Sequence, residues 1–140
     1  MTDSYHIRPA TVADAPAIFE LVNYYARQAQ MLPKSHNQIY QNIRDFRVVT
    51  DPDGRVVGCG ALHVVWGDLA EIRSLAIAEE YKGQGLGHRL VSHLLEDARE
   101  LGMPTVFALT YAPEFFKSLG FEETDKNTLP HKIWGDCIDC

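Results

Sequence analysis

The chain has 140 residues, 46% of them hydrophobic and 23% charged, a balance that fits one ordinary globular domain over residues 1–140 and makes a second improbable. Its formal net charge of −6 argues against a broad nucleic-acid surface but allows a small basic pocket for a polyanionic ligand. No apolar run approaches the roughly 20 residues that span a bilayer, and MTDSYHIRPA lacks the basic end and apolar centre of a secretory leader, so the expectation is a cytoplasmic protein that binds neither membrane nor nucleic acid.

In chain order, IRP at 7–9 reads as a strand. Thr11 with Asp14 three residues later is a capping-box pattern, and Ile18, Leu21, Val22 and Tyr25 follow at helical spacing. QMLPKS is a turn, after which Ser35 with Gln38 opens a second helix carrying Ile39 and Ile43. From Phe46 the period changes: FRVVT, RVVGCGALHVVW and LAEIRSLAI are strand-like and joined by the short turns DPDG and WGD, which predicts an antiparallel meander. Leu86, Leu90, Val91, Leu94, Leu95 and Leu101 form a helical apolar stripe that stops at Gly102. PTVFALT predicts a strand, APEFFKSLG a short helix with Pro113 in its first turn, and FEE a last strand. LPHKIWGDCIDC fits no element clearly, although its KIW segment would suit a homodimer contact. This order predicts an α/β (α+β) class, with a mixed sheet flanked by helices.

Cys59, Cys137 and Cys140 make a poor disulfide framework and point to a reducing compartment, with Cys59 a buried thiol in an apolar stretch. Cys137 and Cys140 form C-x-x-C, two of the four ligands a structural zinc needs, with His131 as a conceivable third. His6, His36, His63, His88 and His93 show no ligand spacing. No metal is expected.

The stretch YKGQGLG at 81–87 stands directly before the long helix. A glycine loop at a helix N-terminus lets backbone N–H groups approach an anion while the helix dipole supports its charge. The P-loop pattern fails, because His88 and Arg89 follow Gly87 where Lys-Ser/Thr is needed. The dinucleotide fingerprint is weak too, since this loop follows a meander and the next strand, FALT, brings no carboxylate.

LAIAEEYKGQGLGHRLVSHLLEDARELG, followed by a strand and EFFKSLGF, resembles the GCN5-related N-acetyltransferase family over nearly the whole chain. The family's loop motif is Gln/Arg-x-x-Gly-x-Gly/Ala; Lys82, Gly85 and Gly87 occupy its fixed positions, with lysine keeping the positive charge. The resemblance implies that Lys82, Gly83, Gln84, Gly85, Leu86, Gly87 and His88 hold the pyrophosphate of acetyl-CoA, and that backbone groups of Leu75, Ala76 and Ile77 hold its acetyl carbonyl and pantetheine amides. MLPKS, AEIRSLAI, FALTYAPEFFKSLGF and LPHKIWGDCIDC are further similar to the acetyltransferase domain of N-acetylglutamate synthases, in a short stand-alone form. That implies transfer of acetyl to the α-amine of L-glutamate, the first step of arginine biosynthesis. Another small amine, a protein N-terminus or a non-catalytic acetyl-CoA sensor remain as alternatives.

Acetyl transfer to an amine needs a deprotonated nitrogen, a stabilised oxyanion and a proton for the leaving thiolate. Glu71, on the strand feeding the loop, is the candidate base, and the resemblance assigns it that role; a surface pair with Arg73 is the plainer reading. Ser74 matches a cysteine whose backbone helps hold substrate. Phe116 stands where many relatives place a tyrosine acid, so protonating the thiolate passes to another group or to water; the resemblance matches Thr110 to the hydroxyl residue of the longer synthases, Tyr111 is adjacent to it, and Phe115 and Phe116 become core or cofactor-packing residues. Two substrate carboxylates would need cations. Lys34, Arg73 and Lys132 are the candidates, Lys34 replacing an arginine of the family's segment.

Overall fold

The computed structural model describes residues 4–110 and 112–124. Within them the sheet runs in the order β1 (His6–Pro9), β2 (Phe46–Thr50), β3 (Val56–Trp66), β4 (Leu69–Ile77) and β5 (Val106–Ala108). The first three pairings are antiparallel, which confirms the meander, and β4–β5 is parallel. The class is therefore the mixed, mostly antiparallel α/β sheet that the sequence predicts.

Helices α1 (Ala15–Ala26) and α2 (His36–Gln41) cover one face. Ile18, Val22, Tyr25 and Ile39 pack there against Phe46, Val48, Cys59, Ala61 and Ala76. Helix α3 (Leu86–Leu101) covers the other, burying Leu86, Leu90, Val91, Leu94 and Ala98 against Val49, Val57, Leu62, Ala70 and Ile72. The helical i, i+4 spacing of the leucines and the period-two alternation of the strands meet on this face. Gly102, at φ 78°, ends α3, with the Met103 N–H returning to the Ala98 carbonyl at 2.9 Å. Leu101 departs from the predicted stripe and is 60% exposed.

The capping signals have different outcomes. The Ser35–Gln38 box closes as expected: the Gln38 N–H donates to Ser35 Oγ at 3.1 Å, and the Ser35 N–H donates to Gln38 Oε1 at 2.8 Å. The Thr11–Asp14 pair instead holds a 3₁₀ turn, Val12–Asp14, and α1 begins only at Ala15. Asp14 is buried there because it accepts from the Thr11 N–H at 2.7 Å and from both terminal nitrogens of Arg8 at 2.7 and 2.9 Å. Their hydrogen bonds hold the Asp14 carboxyl below the usual carboxylate range against the opposing effect of burial, tying β1 to α1.

Three expectations need correction. Helix α2 stops at Gln41, and Ile43 falls in a separate 3₁₀ turn, Ile43–Asp45. The strand expected over PTVFALT shrinks to Val106–Ala108. FEE forms no strand; Phe121 instead packs edge-on against Phe116, ring centroids 5.2 Å apart, closing the end of α4 (Pro113–Lys117) over the core. Phe115 and Phe116 are accordingly core-packing residues. LPHKIWGDCIDC, with His131, Lys132, Cys137 and Cys140, lies outside the described residues.

Candidate active site

Strand β4 is irregular where the chemistry was expected. Arg73 pairs with Ala61 and Ala76 with Cys59, so Ser74 and Leu75 together face Gly60 alone. This is a β-bulge, and Ser74 takes φ 56°, a left-handed conformation uncommon outside glycine. A side chain on Gly60 would lie 3.0 Å from Leu75 Cδ1 and 3.2 Å from Leu94 Cδ1, so glycine there lets β3 and α3 close around the bulge. From below, the Cys59 thiol contacts the Ser74 carbonyl at 3.5 Å. Burial pushes that thiol up to about 12, which keeps it a neutral donor and fits the buried, inert cysteine expected.

The bulge coincides with a parting of strands. Ala70, Glu71 and Ile72 pair with Val106, Phe107 and Ala108, after which β5 ends while β4 continues to Ile77. Leu75, Ala76 and Ile77 thus run past the end of their parallel neighbour. One of their backbone groups is already engaged, because the Tyr25 hydroxyl donates to the Ile77 carbonyl.

Glu71 and Arg73 lie two residues apart, hence on one face, and that face looks toward α1 and α2. Glu71 is only 7% exposed, and Arg73 Nε donates to its Oε1 at 2.6 Å. The pairing foreseen as an alternative to function is therefore real, but it is buried rather than superficial. A buried carboxylate needs such a partner.

Lys34 joins them from the segment before α2. The Asn23 side chain fixes its backbone, accepting from the Lys34 N–H at 3.2 Å and donating to the Lys34 carbonyl at 2.9 Å. Its ammonium is held below the ordinary lysine range by burial first and by neighbouring Arg73 second, with Glu71 opposing. Lys34, Arg73, Ser74, His63 and Asp45 line one pocket. Because the unfolded chain binds the Lys34 proton more tightly than the folded one, stability rises with pH in the window below the ordinary lysine range. Lys34→Met is accordingly expected to be no less stable at neutral pH by thermal melting.

The glycine loop divides its labour. Gly83 and Gly85 have φ 84° and 77°, with no protein atom within 4 Å of where a side chain would begin, so backbone conformation demands glycine at both. Gly87 is different: a side chain there would meet Phe115 at 3.2 Å. Gly85 caps α3 without a side-chain acceptor, and no carboxylate occupies the first turn. The loop and helix end therefore fit an anion such as a pyrophosphate. Lys82 stands beside it, its Nζ 2.9 Å from Glu79 Oε1 and 4.6 Å from the Tyr25 ring centroid. His88, one residue past Gly87, packs on Phe115 and lies 3.2 Å from Ser118 Oγ. Gly85→Ala should strain the αL position by about 1–2 kcal/mol and weaken acetyl-CoA binding, measurable by calorimetric titration; unchanged affinity would remove the loop from the site.

Of the residues singled out in the sequence, Lys34, Arg73 and Ser74 line the pocket, and Glu71 adjoins it through its bond to Arg73. Thr110 lies in the exposed segment after β5, its Oγ1 accepting from the Ala112 N–H at 2.8 Å and so leaving its own O–H to donate. Tyr111 and Lys132 are outside the described residues. Three residues at or beside this pocket had no part in the sequence reading of the site: Asp45 and His63, which line it, and Asn23, which holds Lys34. His63 faces Glu71 directly across β3–β4, and its Nδ1 lies 2.8 Å from Asp45 Oδ2. Among the described residues no cluster of three or more His, Cys, Asp or Glu could hold a metal ion, and no helix is long and apolar enough to cross a membrane.

Comparison with known proteins agrees with this geometry. The profile of the acetyltransferase (GNAT) family matches residues 15–121. An uncharacterised N-acetyltransferase of Chlorobaculum tepidum is 42% identical over 134 residues, covering 96% of this chain and 86% of that one. The amino-acid acetyltransferase of Mycobacterium tuberculosis is 41% identical over 132 residues, 93% of this chain and 75% of that one. The N-acetylglutamate synthase of Neisseria gonorrhoeae, solved with coenzyme A and N-acetyl-glutamate, superposes with a TM-score of 0.89 at 30% identity, over 94% of this chain but 31% of that longer one. A cleft beside a bulged, parting strand, a glycine loop at a helix N-terminus and this profile match agree, and the chain belongs to the acetyltransferase (GNAT) family as an N-acetyltransferase that uses acetyl-CoA.

Proposed function

We propose that the chain, acting as a single acetyltransferase domain over residues 1–140, transfers acetyl from acetyl-CoA to the α-amine of L-glutamate. The observation that carries this reading is the buried Glu71–Arg73 pair with the half-buried Lys34 ammonium drawn beside it. One carboxylate and two cations in a single cleft suit an acceptor that presents an ammonium and two carboxylates. The Neisseria gonorrhoeae synthase, similar over almost all of this chain, was solved with N-acetyl-glutamate, and the Mycobacterium tuberculosis relative is named an amino-acid acetyltransferase. Both names agree with an entry step of arginine biosynthesis.

In this mechanism the glycine loop and Lys82 hold the pyrophosphate, and β4 beyond Ile72 holds the pantetheine arm. Glu71 accepts the proton of the ammonium, directly or through a water, while Lys34 and Arg73 hold the carboxylates. The free amine attacks the thioester carbonyl without a covalent acyl-enzyme. Thr110 protonates the departing thiolate. Lys34→Met then raises KM for the acceptor about 10- to 100-fold, the worth of one charge-assisted hydrogen bond, with acetyl-CoA affinity preserved.

The test is thiol release from acetyl-CoA by the purified protein, with L-glutamate, L-glutamine and other amines compared side by side and the product identified by mass spectrometry. Glutamate-dependent release yielding N-acetylglutamate is expected. Equal or faster turnover of an amine lacking the second carboxylate would replace glutamate as the substrate, and cofactor binding without turnover of any small amine would leave a sensor or a protein acetyltransferase.

A further inference from the structure

The Asp45–His63 pair has no place in the mechanism above, yet it lines the same pocket as Lys34, Arg73 and Ser74. His63 is the cross-strand partner of Glu71, and directly opposed residues carry their Cβ atoms on the same face, about 4.5–5.5 Å apart. The imidazole is fixed from its far side. An ionised carboxylate can only accept a hydrogen bond, so the contact of 2.8 Å from Nδ1 to Asp45 Oδ2 places the ring proton on Nδ1. In the neutral ring Nε2 is then left with a lone pair. Both side chains are 28% exposed, whereas the Glu71 side chain is 9% exposed.

We propose that His63, oriented by Asp45, is a second proton acceptor of the site, taking at Nε2 the acceptor's ammonium proton after Glu71 has engaged it. The inference rests on the reading of Glu71 as the group that meets the ammonium. Its chemical reason is base strength. An imidazole is intrinsically a stronger base than a carboxylate, so a proton handed on to it leaves the amine free more readily than one kept on a carboxylate. The effective base in a neutral-pH enzyme is the stronger one. Arg73, donating to Glu71 Oε1, remains protonated throughout and cannot serve.

The bookkeeping closes. One N–H bond of the ammonium breaks and its electron pair stays on nitrogen; the proton reaches His63 Nε2 by way of Glu71 or a bridging water. Nδ1–H remains donated to Asp45, whose charge stabilises the imidazolium. The amine then forms the C–N bond and the C–S bond breaks; the thiolate takes a proton from the hydroxyl or water on its side, and that donor is restored by the second N–H proton, which the new amide nitrogen gives up through water. His63 finally returns its proton to solvent, which matches the one proton released when an ammonium and a thioester become an amide and a thiol. The charged groups around this ring are Lys34 from the segment before α2, Asp45 from the turn before β2, and Glu71 and Arg73 from β4. Lys34 and Arg73 oppose a further positive charge, and Asp45 and Glu71 balance them.

The experiment measures kcat/KM for L-glutamate against pH in the full chain for His63→Gln, His63→Ala and Asp45→Asn, with acetyl-CoA affinity measured in parallel. His63→Gln is expected to lose about a hundredfold, to change the pH profile, and to keep its affinity for acetyl-CoA. His63→Ala should regain rate on addition of imidazole. Asp45→Asn frees the ring tautomer and should lose about tenfold with the same change in profile. Wild-type rates in the His63 variants overturn the proposal, as does a loss that is equal at every pH and that imidazole does not restore. Should both His63 variants fail to bind acetyl-CoA, Asp45→Asn decides, and a wild-type rate and profile there also overturns it. Glu71→Gln separates this inference from the reading beneath it. An active Glu71→Gln enzyme with inactive His63 variants removes Glu71 and leaves His63 as the base, whereas the reverse pattern removes His63 alone.

Discussion

Glu71→Gln is expected to lower kcat for acetyl transfer about 10²- to 10⁴-fold, the usual range for removing a positioned base, while acetyl-CoA binds as before. The substitution keeps size and hydrogen-bonding capacity but removes the charge that meets the ammonium. It also weakens the 2.6 Å contact with Arg73, so a defect confined to kcat has to be told from a disturbed strand. The two differ in what else moves. Glu71 lies before the bulge, whereas the residues proposed for the cofactor, Leu75 to Ile77 and the glycine loop, lie within or after it, so calorimetric affinity for acetyl-CoA should stay within a factor of about two. A kcat reduced less than tenfold would assign Glu71 to charge balance with Arg73 and move the base to another group.

Leu94→Ala should be the most damaging of the simple core truncations, costing about 2–5 kcal/mol in urea denaturation. Leu94 is fully buried at the centre of α3, among Leu90, Val91 and Leu62, and its Cδ1 lies over Gly60, facing the bulge. Because glycine already leaves that point of β3 without a side chain, only Leu75 and Leu90, whose methyls also reach it, are at hand to fill the space Leu94 leaves. The cavity would lie between α3 and the irregular part of the sheet, under the helix that the glycine loop leads into. A loss below about 1 kcal/mol would mean that α3 settles onto the sheet, and acetyl-CoA affinity should then shift with it.

Much of this architecture was legible in the chain because it rests on local patterns. The meander follows from strand-like runs separated by short turns, α3 from leucines at i and i+4 ended by Gly102, and α2 from a capping box that closes as written. The weak points were also local. Thr11 and Asp14 do form a capping box, but it opens a 3₁₀ turn, Arg8 on β1 shares the Asp14 carboxylate, and the helix starts one residue beyond Asp14. FEE could have paired as a strand, and the aromatic contact of Phe121 with Phe116 prevails.

The candidate site divides in the same way. Glu71, Arg73, Lys34, Ser74 and the glycines could be picked out from residue type, spacing and family resemblance. His63 could not, and the cause is register. The two-residue turn pairs Trp66 with Leu69, and continued regularly that register would set His63 against Ile72. One extra residue on β3 between Val64 and Trp66 shifts the pairing and brings His63 opposite Glu71; a second irregularity, on β4, then turns Ser74 into the bulge. The sequence by itself determined the elements, the two apolar faces and the conformational need for Gly83 and Gly85, since these depend on period and on backbone sterics within a few residues. Which side chains meet around Glu71 was decided only by the tertiary structure, because a one-residue slip between strands changes every cross-strand partner at little local cost, and packing of the whole sheet selects among such slips.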